Sequence, residues 1–463
     1  MIYDLVIKNA KVYLNGTFQP CDVAVSGETI SCVAPWGSEW QAAREIEAGG
    51  QYLIPGTIDT HVHFRDPGHP ERETFYTGSM AAAAGGVTTV LEHPISNPPQ
   101  HNKAILDHRI EVAKPQACVD FAFYGAAGGR SLEDIVPLSH EGIVAYKTFL
   151  HEAPEGRAAE FEGLTMGDDA QLYYGMLEVA KTGLMLATHA ENNDLVTEMT
   201  RRMRASGRSD PMSHNESRPP IVEIQTVEKL IRFVRETGVK LELAHISTDG
   251  AMELAKRAKY EGLPVFLETC PHYLFLDENA IVEYGSFAKF QPALRKRETV
   301  DKLWDYINDG TVDYIGSDHG PFTLAEKLRG GGNIHDAFAG TPGIDLRLPL
   351  MLDAAYKGKV SLERCVELLS VNPAKCFDLY PQKGSVSPGA DADFVLFDLD
   401  GTTTVRWENS YCKSKDAGHV YEGWDLHCRL HKTIVRGRVV MDEGAVDPSA
   451  RGWGALVKPL TKR

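Results

Sequence analysis

Apolar and polar positions change rhythm twice along this chain. Residues 1–53 read as short strands, at 4–14, 22–35 and 44–54, parted by Gly, Asn and Pro. From 54 to about 380, apolar strand-like runs alternate with helical stretches, the pattern of βα units on a parallel sheet. Eight runs have strand character: 57–63, 87–93, 119–124, 143–150, 184–189, 241–246, 265–269 and 314–317. Helical spacing predicts helices between them, among others at 74–84, 169–182, 221–237 and 251–261. After Cys376 strand character returns, at 383–400 and 433–444.

This order predicts an α/β fold: a (β/α)8 TIM barrel over 54–380, with a second, small β-sandwich domain built from 1–53 and 381–463. No Gly-x-Gly-x-x-Gly follows the first barrel run, which disfavours an open dinucleotide-binding sheet.

Composition narrows the class of partner. The 463 residues are 43% hydrophobic and 24% charged, ordinary for a globular protein. With 48 basic against 64 acidic residues the net charge is -16, which opposes binding to nucleic acid or anionic membranes. The start lacks the features of a secretory signal, and no apolar run approaches the roughly 20 residues of a membrane span. Eight scattered cysteines without a Cys-x-x-Cys pair indicate neither a disulfide framework nor a zinc knuckle, so a reducing, cytoplasmic setting is expected.

Candidate chemistry gathers at the ends of the barrel runs, where TIM barrels place their active sites. The stretch 54–68, IPGTIDTHVHFRDPG, alternates with period two, so His61 and His63 share one face with Cα atoms about 7 Å apart. The fourth run carries Lys147, the fifth ends at His189, the sixth reaches His245 and the eighth runs into Asp318. Singly, each has a plain structural explanation: a hydrogen-bonded core histidine, a turn aspartate. Together, four imidazoles and a carboxylate on one rim form a ligand set for zinc and similar divalent ions. Lys147 stands in the buried-strand sequence IVAYKTFL, where an unpaired ammonium is penalised or discharged by desolvation. A lysine neutralised in this way can add carbon dioxide to form a carbamate, and a structural salt bridge is the alternative.

The motifs PGTIDTHVHFRDPG, the fourth-run lysine, THAEN, AHIST, TCPHYL, GSDHGP and KGSVSPGADADFVLFDLD resemble those of the cyclic amidohydrolases, which include hydantoinases, dihydropyrimidinases, allantoinases and dihydroorotases. The resemblance covers nearly the whole chain. It implies two divalent metal ions, usually zinc, bridged by carbamylated Lys147, with His61, His63 and Asp318 on one ion and His189 and His245 on the other. It also implies attack of a metal-bridging hydroxide on a ring amide, with Asp318 as proton shuttle, and a homodimer or homotetramer.

The substrate signals are mixed. Arg65 sits where dihydroorotases place a carboxylate-binding arginine, and guanidinium–carboxylate pairing suits that role; strand alternation continued past His63 aims it at the same rim, and a structural ion pair with Asp66 or a helix carboxylate is the alternative. Yet 93–99 reads HPISNPP, with Ile95 where dihydroorotases carry asparagine, and TCPHYL at 269–274 is closer to allantoinases and hydantoinases. Glu152 stands where D-hydantoinases tend to carry tyrosine. The candidate substrate contacts are Arg65, His272 and Gln291, while His93 is a pocket, second-layer or packing residue. The expected activity is hydantoinase- or allantoinase-type hydrolysis of a small cyclic amide, with a dihydroorotase or a non-catalytic scaffold as alternatives.

Overall fold

The computed structural model describes residues 2–151, 153 and 156–462. Eight parallel strands run in sequence order: β1 (Thr57–Val62), β2 (Val87–Glu92), β3 (Asp120–Ala126), β4 (Ala145–Phe149), β5 (Met185–His189), β6 (Lys240–Leu243), β7 (Val265–Thr269) and β8 (Tyr314–Ile315). His319, just past β8, closes the ring by donating its N–H to the His61 carbonyl at 3.3 Å and accepting the His63 N–H at 3.0 Å. Crossover helices such as Phe75–Ala84, Asp169–Thr182, Ile221–Thr237 and Asp249–Tyr260 lie between the strands. Their limits follow from side-chain chemistry: Thr74, Asp168 and Thr248 accept backbone N–H groups at the starts, and Gly183 and Gly238 end two of them in left-handed conformation.

The strands are buried on both faces because both faces are covered. Ile58, Leu91, Ala122, Tyr124, Ala187 and Tyr314 pack inside, while Val62, Val90, Phe121, Phe123 and Leu186 pack outward under the helices. Fully burying a side chain such as Phe121 stabilises the fold by about 2–3 kcal/mol. In β1, Asp59 pairs with Val90 and Val62 with Glu92, three steps against two. This bulge resets the alternation, so that inward-facing Ile58 and the cavity-lining His61, three residues apart, lie on the same side.

Two strands stop earlier than the apolar runs suggest, β6 at Leu243 and β8 at Ile315. Beyond them carboxylates replace strand partners: Glu268 accepts the His245 N–H at 3.1 Å and Asp59 accepts the Ser317 N–H at 3.0 Å. His245 and Asp318 then take left-handed backbone, φ 43 and 49.

A second sheet of nine strands draws five from 5–55 and four from 394–446. The two ends meet where Tyr52–Pro55 runs antiparallel to Phe394–Asp398. This unit is fastened to the barrel by buried Lys383, whose ammonium reaches Asp120, Asp391 and Asp393 at 2.5, 2.9 and 2.6 Å. No described helix is long and apolar enough to cross a membrane.

Candidate metal centre

His61, His63, His189, His245 and Asp318 line one cavity of about 100 Å3 at the C-terminal ends of the strands. A wider recess of about 700 Å3 lies between the N-terminal strands and 380–388, but it holds no such cluster of histidines. His61 Nε2 and His63 Nε2 each lie 3.4 Å from Asp318 Oδ1. His189 Nδ1 lies 3.1 Å from His245 Nε2.

Hydrogen-bond partners fix which ring nitrogens carry lone pairs. His61 donates Nδ1–H to Glu268 at 2.8 Å, which leaves the Nε2 lone pair facing the Asp318 carboxylate. His189 donates Nε2–H to Glu191 at 2.8 Å, so its Nδ1 lone pair faces His245. Glu268 is itself held by the Thr60 hydroxyl at 2.8 Å, and Glu191 is paired with Arg218. The His61 Nε2 lone pair and the Asp318 carboxylate repel each other unless a proton or a cation lies between them, and these nitrogen and oxygen donors suit a divalent ion.

Lys147 is fully buried on β4, and its Nζ has no hydrogen-bond partner among the described residues. Burial lowers its pKa, against the opposing pull of Glu242, Glu268 and Asp318. Burial also pushes Asp318 up to about 8, with Lys147 drawing it down and Glu268 raising it further. A cation beside this carboxylate would relieve that cost.

Arg65 and Gln291 line the same cavity. Arg65 does not arrive by continued strand alternation: β1 ends at Val62, and Arg65 itself has φ 62. Its guanidinium is buried beside Phe322; Nε and Nη1 have no hydrogen-bond partner among the described residues, and Nη1 makes a long ion pair with Glu160 at 3.9 Å. The Asp66 side chain instead accepts from Gln116. His272 is not among the lining residues; its ring stacks at 4.2 Å on Phe290, which is. His93 stacks on His61 with ring centres 3.8 Å apart and its Nε2 meets the Thr60 carbonyl at 3.1 Å. Glu152 lies outside the described residues.

Sequence reasoning did not single out Glu268, Glu191 or Arg157. Glu268 carried the same signal as Lys147, a charged residue within an apolar run, VFLET. Glu191 was visible inside THAEN. Arg157 lines the cavity and pairs with Glu160 at 2.7 Å.

The family model for the amidohydrolase family matches residues 52–440. The chain belongs to the amidohydrolase family. Among amidohydrolase relatives, an allantoinase from Solibacter usitatus is 33% identical over 98% of this chain and 97% of its own length. An L-hydantoinase from Paenarthrobacter aurescens is 31% identical over 98% of each chain. The solved structure of an L-hydantoinase (dihydropyrimidinase) from Arthrobacter aurescens superposes with a TM-score of 0.94 at 30% identity, covering 98% of this chain and 100% of that one. A dihydropyrimidinase from Brevibacillus agri gives 0.89 at 29% identity, covering 98% of each chain.

Proposed function

We propose that this amidohydrolase opens a cyclic amide or ureide ring by hydrolysing a ring C–N bond, in the manner of a hydantoinase or allantoinase, at a centre of two zinc ions. The observation that carries the reading is Lys147, a buried amine without a hydrogen-bond partner among the described residues, on the strand rim that also gathers four histidines and an aspartate. Relatives bearing the names allantoinase and L-hydantoinase over nearly the full length support it.

His61, His63 and Asp318 would hold one ion, and His189 and His245 the other. The Lys147 amine, adding carbon dioxide at its lone pair and releasing one proton, would join them as a carbamate. When bound, the ions supply Lewis acidity towards the ring carbonyl and lower the pKa of water. Asp318 takes the proton from the attacking water and returns it to the departing ring nitrogen, as base and then acid. Glu268 and Glu191 keep His61 and His189 in the tautomers the centre requires. Phe149, Phe161, Phe290 and Phe322 wall the cavity and limit the entry of further water.

A second reading, an acidic ring of the dihydroorotase kind, is favoured by charge. Arg65, Arg72 and Arg157 surround Glu160, and Arg72 also pairs with Glu326. Among the described residues Arg65 makes only a long contact with Glu160, 3.9 Å, and its Nε and Nη1 have no hydrogen-bond partner, which leaves its charge available to a substrate carboxylate. His272 would act on the substrate through Phe290, and Gln291 directly.

Turnover of hydantoins, allantoin, dihydrouracil and dihydroorotate by metal-loaded enzyme tests both readings; opening of none of these rings would overturn them. We further propose division of the chain at 1–53, 54–380 and 381–463, assembly as a homodimer or homotetramer, and a cytoplasmic location. The eight free cysteines accord with that location.

A further inference from the structure

A buried cluster outside the metal centre joins the barrel to the second sheet. One carboxylate oxygen of Glu73, one ring nitrogen of His319 and Cys412 Sγ lie within 4.8 Å of one another, and all three side chains are buried. Such a set could be read as a further metal site, but its hydrogen bonds oppose that. Gly343 donates its N–H to His319 Nδ1 at 3.2 Å, so the ring proton sits on Nε2, the nitrogen that lies 3.5 Å from Glu73 Oε2. Burial, with the charges of Asp345 and Glu73, pushes the Cys412 thiol well above its usual range, so the sulfur offers no thiolate. The cluster is therefore a carboxylate facing an imidazole N–H, with a thiol beside it.

Both members of this pair lead further. The main chain of His319 lies between two candidate ligands: it donates its N–H to the His61 carbonyl and accepts the His63 N–H. It also directly follows a third, Asp318. Where His319 stands thus bears on His61, His63 and Asp318 together. Glu73 in turn accepts the Lys413 N–H, 3.2 Å from each carboxylate oxygen, and the Thr77 hydroxyl. Lys413 comes from the second unit, between its strands Phe394–Asp398 and Arg429–Val435. Neighbouring groups fasten the same segment to the barrel: the Ser410 hydroxyl donates to Asp345 at 2.6 Å, the Ser414 hydroxyl to the Arg72 carbonyl and the Lys413 ammonium to the Pro70 carbonyl.

We propose that Glu73 is a positioning residue: anchored by the Lys413 N–H of the second unit, it holds His319, and through His319 the spacing of His61, His63 and Asp318 as ligands of one ion. The proposal rests on the two-ion reading of the centre. It gives the second unit a part in the site, since a main-chain N–H from residues 410–414 fixes a carboxylate that the barrel's own strands do not reach. A carboxylate suits the task because its two oxygens serve donors on two sides, and hydrogen bonds to a charged acceptor are the stronger kind.

The test titrates metal-free protein with zinc against a chromophoric chelator, for wild type, Glu73→Gln, Lys413→Pro, which removes the N–H, and Lys413→Ala, which keeps it. His63→Ala identifies which binding step belongs to the ion of His61, His63 and Asp318. Glu73→Gln and Lys413→Pro are each expected to weaken that step about tenfold and the other step less, while Lys413→Ala matches wild type. The double variant should be no worse than the poorer single one, because both break the same chain of contacts. Equal weakening of both steps with a lower melting temperature would assign Glu73 to general stability and overturn the proposal. An unchanged first step in either Glu73→Gln or Lys413→Pro would also overturn it, as would additive losses in the double variant or a loss in Lys413→Ala as large as that in Lys413→Pro. Wild-type protein that binds fewer than two ions would overturn the two-ion reading together with this proposal, whereas two ions in wild type and an unchanged first step in Glu73→Gln would overturn the proposal alone.

Discussion

Replacement of Arg65 by Met separates a substrate-binding guanidinium from a structural one. The side chain is 3% exposed and lines the cavity, and its Nε and Nη1 have no hydrogen-bond partner among the described residues. Its contact with Glu160 is long, 3.9 Å, and Glu160 keeps Arg72 at 3.2 Å and Arg157 at 2.7 Å when Arg65 is removed. Met retains the length of the chain and its packing on Phe322 while deleting the charge. A charged hydrogen bond to a substrate carboxylate contributes about 1.5–3 kcal/mol, and about 1.4 kcal/mol is one decade of rate. We therefore expect kcat/KM to fall about ten- to hundredfold for a carboxylated ring and less than about threefold for a neutral one. Parallel kinetics on dihydroorotate and on an unsubstituted hydantoin measure the difference, with thermal melting as the control. Equal losses on both rings, accompanied by a lower melting temperature, would refute the reasoning and assign Arg65 to the Glu160 network.

Four further outcomes are expected. Lys147→Ala should lose metal and activity together, partly restored by added short carboxylic acids; metal analysis finding two ions in the variant refutes the bridging role. Asp318→Asn should lower kcat about 10²–10⁴-fold with KM little changed, since an amide cannot relay the proton; a wild-type kcat would move the shuttle to another group. Glu268→Gln should weaken metal affinity about ten- to hundredfold by loosening His61 Nδ1, read by competition with a chelator. Glu160 has its pKa lowered to about 2: burial raises it, but the hydrogen bonds and charge of Arg157, with Arg65 and Arg72, outweigh burial. Its stabilising contribution is thus present above the unfolded value near 4.5 and lost as pH falls towards 2, on the order of 3 kcal/mol. Glu160→Gln should flatten the melting temperature over that range, and an unchanged acid limb would contradict the assignment.

The sequence by itself determined the barrel and its metal-ligand candidates. Eight apolar runs with helices between them can bury their faces in few ways, and the periodicity that exposes such runs is local in the chain. His61, His63, Lys147, His189, His245 and Asp318 were legible because each ends or interrupts a run, and a barrel collects the ends of its strands on one rim. The tertiary structure decided what depends on contacts between distant residues. Glu268 reaches His61 across 207 positions, so the tautomer of that imidazole, and with it the direction of its lone pair, exists only in the folded barrel. Arg65 reaches the cavity through a left-handed turn instead of the strand alternation, which no local pattern announces.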